Sequence, residues 1–104
     1  MARCVAEAMI RSGRFGARHR VRIDLHGFST FGPGTHHQLI RWESVIEIVP
    51  SVHGVVIRSP SDEIVFPARV FGLEPSTLAE RLEVGRSIFE RGEVIEALAR
   101  ASSG

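Results

Sequence analysis

Gln38 to Val49, QLIRWESVIEIV, constrains the fold more than any other stretch. Ile40, Trp42, Ser44, Ile46 and Ile48 fall on one parity, and Arg41, Glu43, Val45, Glu47 and Val49 on the other. A period of two, with an apolar side and a largely charged side, is the pattern of a strand half-buried on a core. Trp42, the only tryptophan, sits mid-pattern, where its large apolar area can anchor that core. Glu43-Ser44 interrupts the apolar side, which predicts two strands, residues 37–42 and 45–49, joined by a bend or short turn. Even-numbered side chains, Ile46 included, are then expected inside.

The chain around this stretch reads as a meander. Residues 20–26, RVRIDLH, alternate Val21, Ile23 and Leu25 with Arg20, Arg22, Asp24 and His26, a half-buried strand. His26-Gly27 is a turn, residues 28–31 return, and residues 32–35 are a loop by their glycine and proline content. Pro50 ends the central pattern. His53-Gly54 turns the chain into a strand at 55–58, and residues 59–62 turn it again into 63–66. Short antiparallel strands at regular spacing point to a sandwich or small barrel. Residues 5–15 read two ways. Val5, Ala8 and Met9 fit a short amphipathic helix, whereas Gly13 and Gly16 oppose a long one and residues 8–12 fit a first strand. A basic loop over 13–18, holding Arg18 with His19 beside it, follows.

The period then changes. Pro75 suits the first turn of a helix, and Thr77 with Glu80 has capping-box spacing. Leu78, Leu82, Gly85 and Phe89 repeat at helical spacing with Ile88 beside them. Gly92 is expected to end or kink this helix, and residues 94–100 to form a second helix or a continuation.

A chain of 104 residues makes one domain with one core, expected over about 8–91 with a short helical tail at 93–101. The single cysteine, Cys4, leaves no intrachain disulfide and no cysteine metal site, which fits a reducing compartment. No apolar run approaches the roughly 20 residues of a membrane span, and the N-terminal residues lack the apolar core expected of a signal peptide. The expectation is a cytoplasmic protein, at most peripheral at the inner membrane face.

Seven short strands followed by one helix resemble the pleckstrin-homology (PH) superfold. HRVRIDLHGFSTFG, QLIRWESVIEIV, GVVIRS and EIVFPARVFG, followed by the amphipathic helix, are similar to bacterial PH-like and GRAM-type members. Ile40, Trp42 and Val45 or Ile46, then Pro67 and Phe71, stand where those members carry an I-x-W-x-x-I step and a proline-marked passage to the capping helix. The resemblance runs from about Ala8 to Phe89. It implies a mainly β fold with C-terminal α, a partly open barrel of two near-orthogonal antiparallel sheets of about seven strands, capped by one C-terminal helix. It further implies a binding or assembly module and not an enzyme. The partners expected are a second copy of the chain or a membrane-associated protein, met through a strand edge or the helix face. The alternative is an anionic lipid headgroup or phosphate.

The candidate anion site is Arg11, Arg14, Arg18, Arg20 and Arg22. Up to residue 22 the chain carries these and Arg3 against Glu7 alone. PH members that bind phosphoinositides place basic residues on the first two strands in a similar pattern, here Arg11 or Arg14 and then Arg20-x-Arg22. Alternate residues on a strand share a face, so Arg20 and Arg22 can fork a phosphate. Against this stands a merely solvated arginine-rich face, since the chain has no lysine at all. No aromatic is interleaved on that basic strand, which argues against nucleic acid as a partner. The histidines give no metal site: His36 and His37 face opposite ways on a strand, and Asp24 with His26 offers two ligands without a third. Glu43 and Glu47 share a parity and read as a solvent edge. No nucleophile motif or phosphate loop occurs, Gly32-Pro33-Gly34 lacking the following lysine, and nothing calls for a cofactor. The six phenylalanines read as core, except that Phe28 and Phe31 have opposite parity and one of them is expected to be exposed.

Overall fold

The computed structural model describes residues 5–12, 17–32 and 37–103, with the backbone alone at 10–12, 17–18 and 102–103. Strands β1 (Val5–Ser12), β2 (Ala17–Asp24), β3 (Gly27–Phe31) and β4 (Gln38–Arg41) form one antiparallel sheet in chain order. Strands β5 (Glu47–Ser51), β6 (Gly54–Arg58) and β7 (Glu63–Pro67) form a second. The fold is mainly β, and the two sheets are not closed into a barrel. Two C-terminal helices follow, α1 (Pro75–Gly85) and α2 (Ile88–Ser103).

β1 pairs with β2 from Val5 opposite Asp24 to Ser12 opposite Ala17. That ladder decides the first segment in favour of a strand. It also places Arg18 and His19 on β2, where a loop was expected. The inward rows of both sheets and one face of each helix make a single core. Ile23, Phe28, Ile57, Phe66, Leu82 and Ile95 are among its fully buried members. Phe28 lies 6.0 Å from Phe66, edge to face across the sheets. Gly54 turns the second sheet at φ 140°, and a Cβ there would stand 1.9 Å from the Phe66 carbonyl oxygen, so only glycine fits.

Trp42 is buried as expected but not on a strand. A 3-10 turn over Trp42–Ser44 separates β4 from β5. A 3-10 turn advances side chains by a third of a circle, not a half, and so resets the parity. Val45 is buried and Ile46 is 58% exposed, the reverse of the expected alternation, before Ile48 returns to the core. The indole N–H donates to the Asp24 carbonyl at 2.7 Å, and the ring lies 4.4 Å from Phe28. The Asp24 carboxylate in turn accepts the backbone N–H groups of His26 and Gly27. This side-chain turn ends β2 at Asp24, two residues early, and leaves Leu25 half exposed, where alternation had it inside. Pro50 does not end β5, which continues to Ser51. β5 lies at the edge of its sheet, the position where a residue without an N–H is tolerated.

The helical region differs most from the sequence reading. Pro75 opens α1 with Glu74 at the cap position, which makes no side-chain cap bond, so Thr77 and Glu80 lie inside the helix and form no capping box. α1 stops at Gly85, not near Phe89, and Gly92 lies within α2. At the break the chain packs on Trp42. Gly85 is pressed so close to the indole that a Cβ would sit 3.0 Å from its Cη2. The last carbonyls of α1 then have no helical successors. Arg91 supplies them from α2: its Nε donates to the Gly85 carbonyl at 2.9 Å and a terminal nitrogen to the Arg86 carbonyl at 3.0 Å. The same guanidinium lies 4.6 Å over the Trp42 ring, and Arg86 donates to the Val45 carbonyl at 3.2 Å. The expected tail at 93–101 is therefore the body of α2, and its Val94, Ile95 and Leu98 belong to the core. Among the described residues no helix is long and apolar enough to cross a membrane.

Candidate functional site

Two surfaces carry unspent chemistry, the outer face of the first sheet and the corner between α1 and α2. On the sheet, Arg20 and Arg22 share the outer face of β2 above buried Val21 and Ile23. They do not form an open fork. Arg20 Nε lies 3.6 Å from Glu7 Oε2, and Arg22 Nε lies 3.2 Å from Asp24 Oδ2. The Arg22 Nε is buried and makes no directed hydrogen bond, so its contact with Asp24 is an ion pair by distance alone. Arg11 and Arg18 stand directly opposite each other on the β1–β2 ladder. Arg14 and the side chains of Arg11 and Arg18 fall outside the described residues. The five arginines are thus shown together only in part.

The register brings to this face an aromatic that sequence reading missed. Phe31 on β3 stands opposite Arg20 on β2. The guanidinium lies 5.0 Å from the ring centre, a cation–π distance. Phe31 also stacks on the exposed His37 ring, with centres 4.4 Å apart and planes within 14°. Strand pairing alone puts these groups side by side; no spacing within one strand could have shown it. The second sheet offers the contrast. Arg58, the last residue of the central strand β6, donates to Glu63 at 2.9 Å and also to Glu47. Hydrogen bonding to Glu63, then to Glu47, raises its pKa further above the usual guanidinium value. Glu47, read from the sequence as a solvent edge, is thus an ion-pair partner on the sheet.

At the corner, Phe89 is 92% exposed and Ile88 is 71% exposed, with half-exposed Val84 at the end of α1. The reading of the phenylalanines as core, with one of Phe28 and Phe31 excepted, holds for Phe28, Phe66 and Phe71, which are buried, and fails for Phe89. Phe31 is half-buried, and Phe15 lies outside the described residues. The break at Gly85 is the physical reason: a continuous helix would have kept Phe89 on the face of Leu78 and Leu82. Two open grooves flank α1. One, about 570 Å³, runs between the helices past Arg81, Val84, Glu93, Val94, Ala97 and Arg100. The other, about 680 Å³, runs between α1 and the β5 edge past Ile48, Pro50, Ala79, Glu83 and Val84. Val84 lines both.

Asp24 and His26 are committed to the turn after β2 through the Asp24 carboxylate. Among the described residues no group of three His, Cys, Asp or Glu side chains gathers as metal ligands would. No protein-family model matches the chain, and no curated protein matches it in sequence.

Proposed function

We propose that the chain is a non-catalytic assembly module on a PH-like scaffold, and that it associates with a second copy of itself through the α1–α2 corner. The observation that carries this reading is Phe89, 92% exposed on a helix rather than on a loop. A large exposed aromatic on a rigid element loses little entropy on docking, and such side chains supply the anchors of protein interfaces. The groove between the helices is of a size to receive a phenyl ring, and Val84, Val94 and Ala97 give it an apolar floor. Its rim mixes signs, Arg81 and Arg100 with Glu90, Glu93 and Glu96. A two-fold contact places a patch against itself, and a rim of mixed sign can then pair with its own copy where a rim of one sign repels. The β5 edge beside the second groove gives the same surface a backbone ladder to extend.

The test is a photo-reactive residue at position 89 of the purified chain, with Ser61, exposed on the far turn of the second sheet, as control. The expected product is a dimer crosslinked from position 89 into residues 81–100 of the partner copy. No dimer from position 89, or as much from position 61, overturns the reading.

A further inference from the structure

We propose that the outer face of the first sheet binds single-stranded nucleic acid. A base stacks on the Phe31–His37 pair, and the arginines of β1 and β2 meet the phosphates. Two independent features of the face meet here. The first is the stacked column of Arg20, Phe31 and His37, which already holds ring on ring at 4.4 Å with the planes nearly parallel and leaves the imidazole exposed. A planar column of this kind extends by one more π-face at little cost, and every base has one. The second is charge. Arg20 and Arg22 occupy the outer parity of β2, and Arg11 and Arg18 occupy ladder positions of that same parity, opposite each other. Four arginine positions thus share the face with two acidic ones, Glu7 and Asp24.

The existing ion pairs are weak enough to be exchanged. The Arg20–Glu7 contact is long at 3.6 Å, with about half of each side chain in water. The Arg22–Asp24 contact is an ion pair by distance alone, without a directed hydrogen bond from Nε, and about a third of the Arg22 side chain remains in water. Arg58 on the second sheet shows what a saturated arginine looks like here: two carboxylates, both hydrogen-bonded. A lipid headgroup would use the same arginines, yet it gives the ring column nothing to stack. A duplex buries its bases and offers only phosphates. The combination of an open column and partly committed arginines therefore selects a strand with accessible bases. This inference does not depend on the α1–α2 corner.

Fluorescence anisotropy with labelled oligothymidylate of about 20 nucleotides, at about 50 mM salt, tests it directly. The wild-type chain is expected to bind the single strand more tightly than a duplex of equal length. His37→Ala, at an exposed site, and Phe31→Leu are each expected to weaken binding about tenfold, the effect of losing one base–ring stack. Arg20→Ala with Arg22→Ala should flatten the plot of log affinity against log salt by about 1.4, two phosphate contacts' worth. Arg58→Ala should leave binding unchanged. Absence of oligonucleotide binding at this salt overturns the proposal. So does duplex binding as tight as single-strand binding, or full affinity in His37→Ala. Anionic phosphatidylglycerol vesicles that bind the chain while oligothymidylate does not would assign the face to a headgroup instead.

Discussion

The corner between α1 and α2 and the outer face of the first sheet both present an aromatic ring, and the two rings are held in opposite ways. Phe89 stands in water, whereas Phe31 is already flanked by Arg20 and His37. A bare ring gains by leaving water, so it calls for an apolar socket and an association that tolerates salt. A ring inside a cationic column gains by one more stacked face and by a nearby anion, and that binding weakens as salt rises. Exposure alone does not name a partner; what surrounds the ring does.

Trp42 is common to both surfaces, and removing it breaks the comparison altogether. Its ring packs on Gly85 at the end of α1 and lies under Arg91, and its N–H donates to the Asp24 carbonyl at the end of β2. Trp42→Ala is expected to cost about 3–5 kcal/mol, the range for large-to-small changes in a core. Thermal unfolding should show it, with loss of both binding activities. A Trp42→Ala protein that melts like the wild type would mean the indole does not organise the fold. The next largest effect separates the surfaces. Phe89→Asp should weaken self-association by about 2 kcal/mol or more, roughly thirtyfold, and leave oligonucleotide binding untouched. Salt sharpens the same division: raising it from about 50 to 200 mM should reduce binding at the sheet face by an order of magnitude or more and barely alter the dimer. The smallest effect is at Arg58. Its guanidinium is charged throughout the neutral range as any arginine is, and the stability from its raised pKa is lost only as pH climbs through the folded-state value. Arg58→Ala should therefore alter neither binding activity. It should lower the melting temperature slightly, by an amount that shrinks in high salt and does not vary between pH 6 and 9.

Much of the scaffold was legible in the sequence because a period of two is a direct consequence of strand geometry. Residues 20–26 show it, and β2 runs there to Asp24; residues 55–58 and 63–66, read from the turns that flank them, are strands too. What escaped were places where one side chain redirects the backbone. Asp24 captures the next two N–H groups and turns Leu25 outward. The 3-10 turn at Trp42 exchanges the roles of Val45 and Ile46. The helix ends at Gly85, against Trp42, although its apolar spacing runs on to Phe89. Each of these depends on a contact or a turn type that spacing does not encode. The candidate sites divide likewise. The arginines of β2 were visible as a row, because one strand suffices to show them. The Arg20–Phe31–His37 column was invisible, because it exists only once β2, β3 and the residue before β4 are in register.

Sedimentation velocity of the wild-type chain and of Phe89→Asp, each over a wide dilution series, tests the central claim most directly. The account predicts a reversible dimer for the wild type that shifts to monomer on dilution, and for Phe89→Asp a midpoint at least about thirtyfold higher in concentration. A wild-type chain that stays monomeric at the highest concentration, or a Phe89→Asp chain that dimerises as well as the wild type, would contradict it.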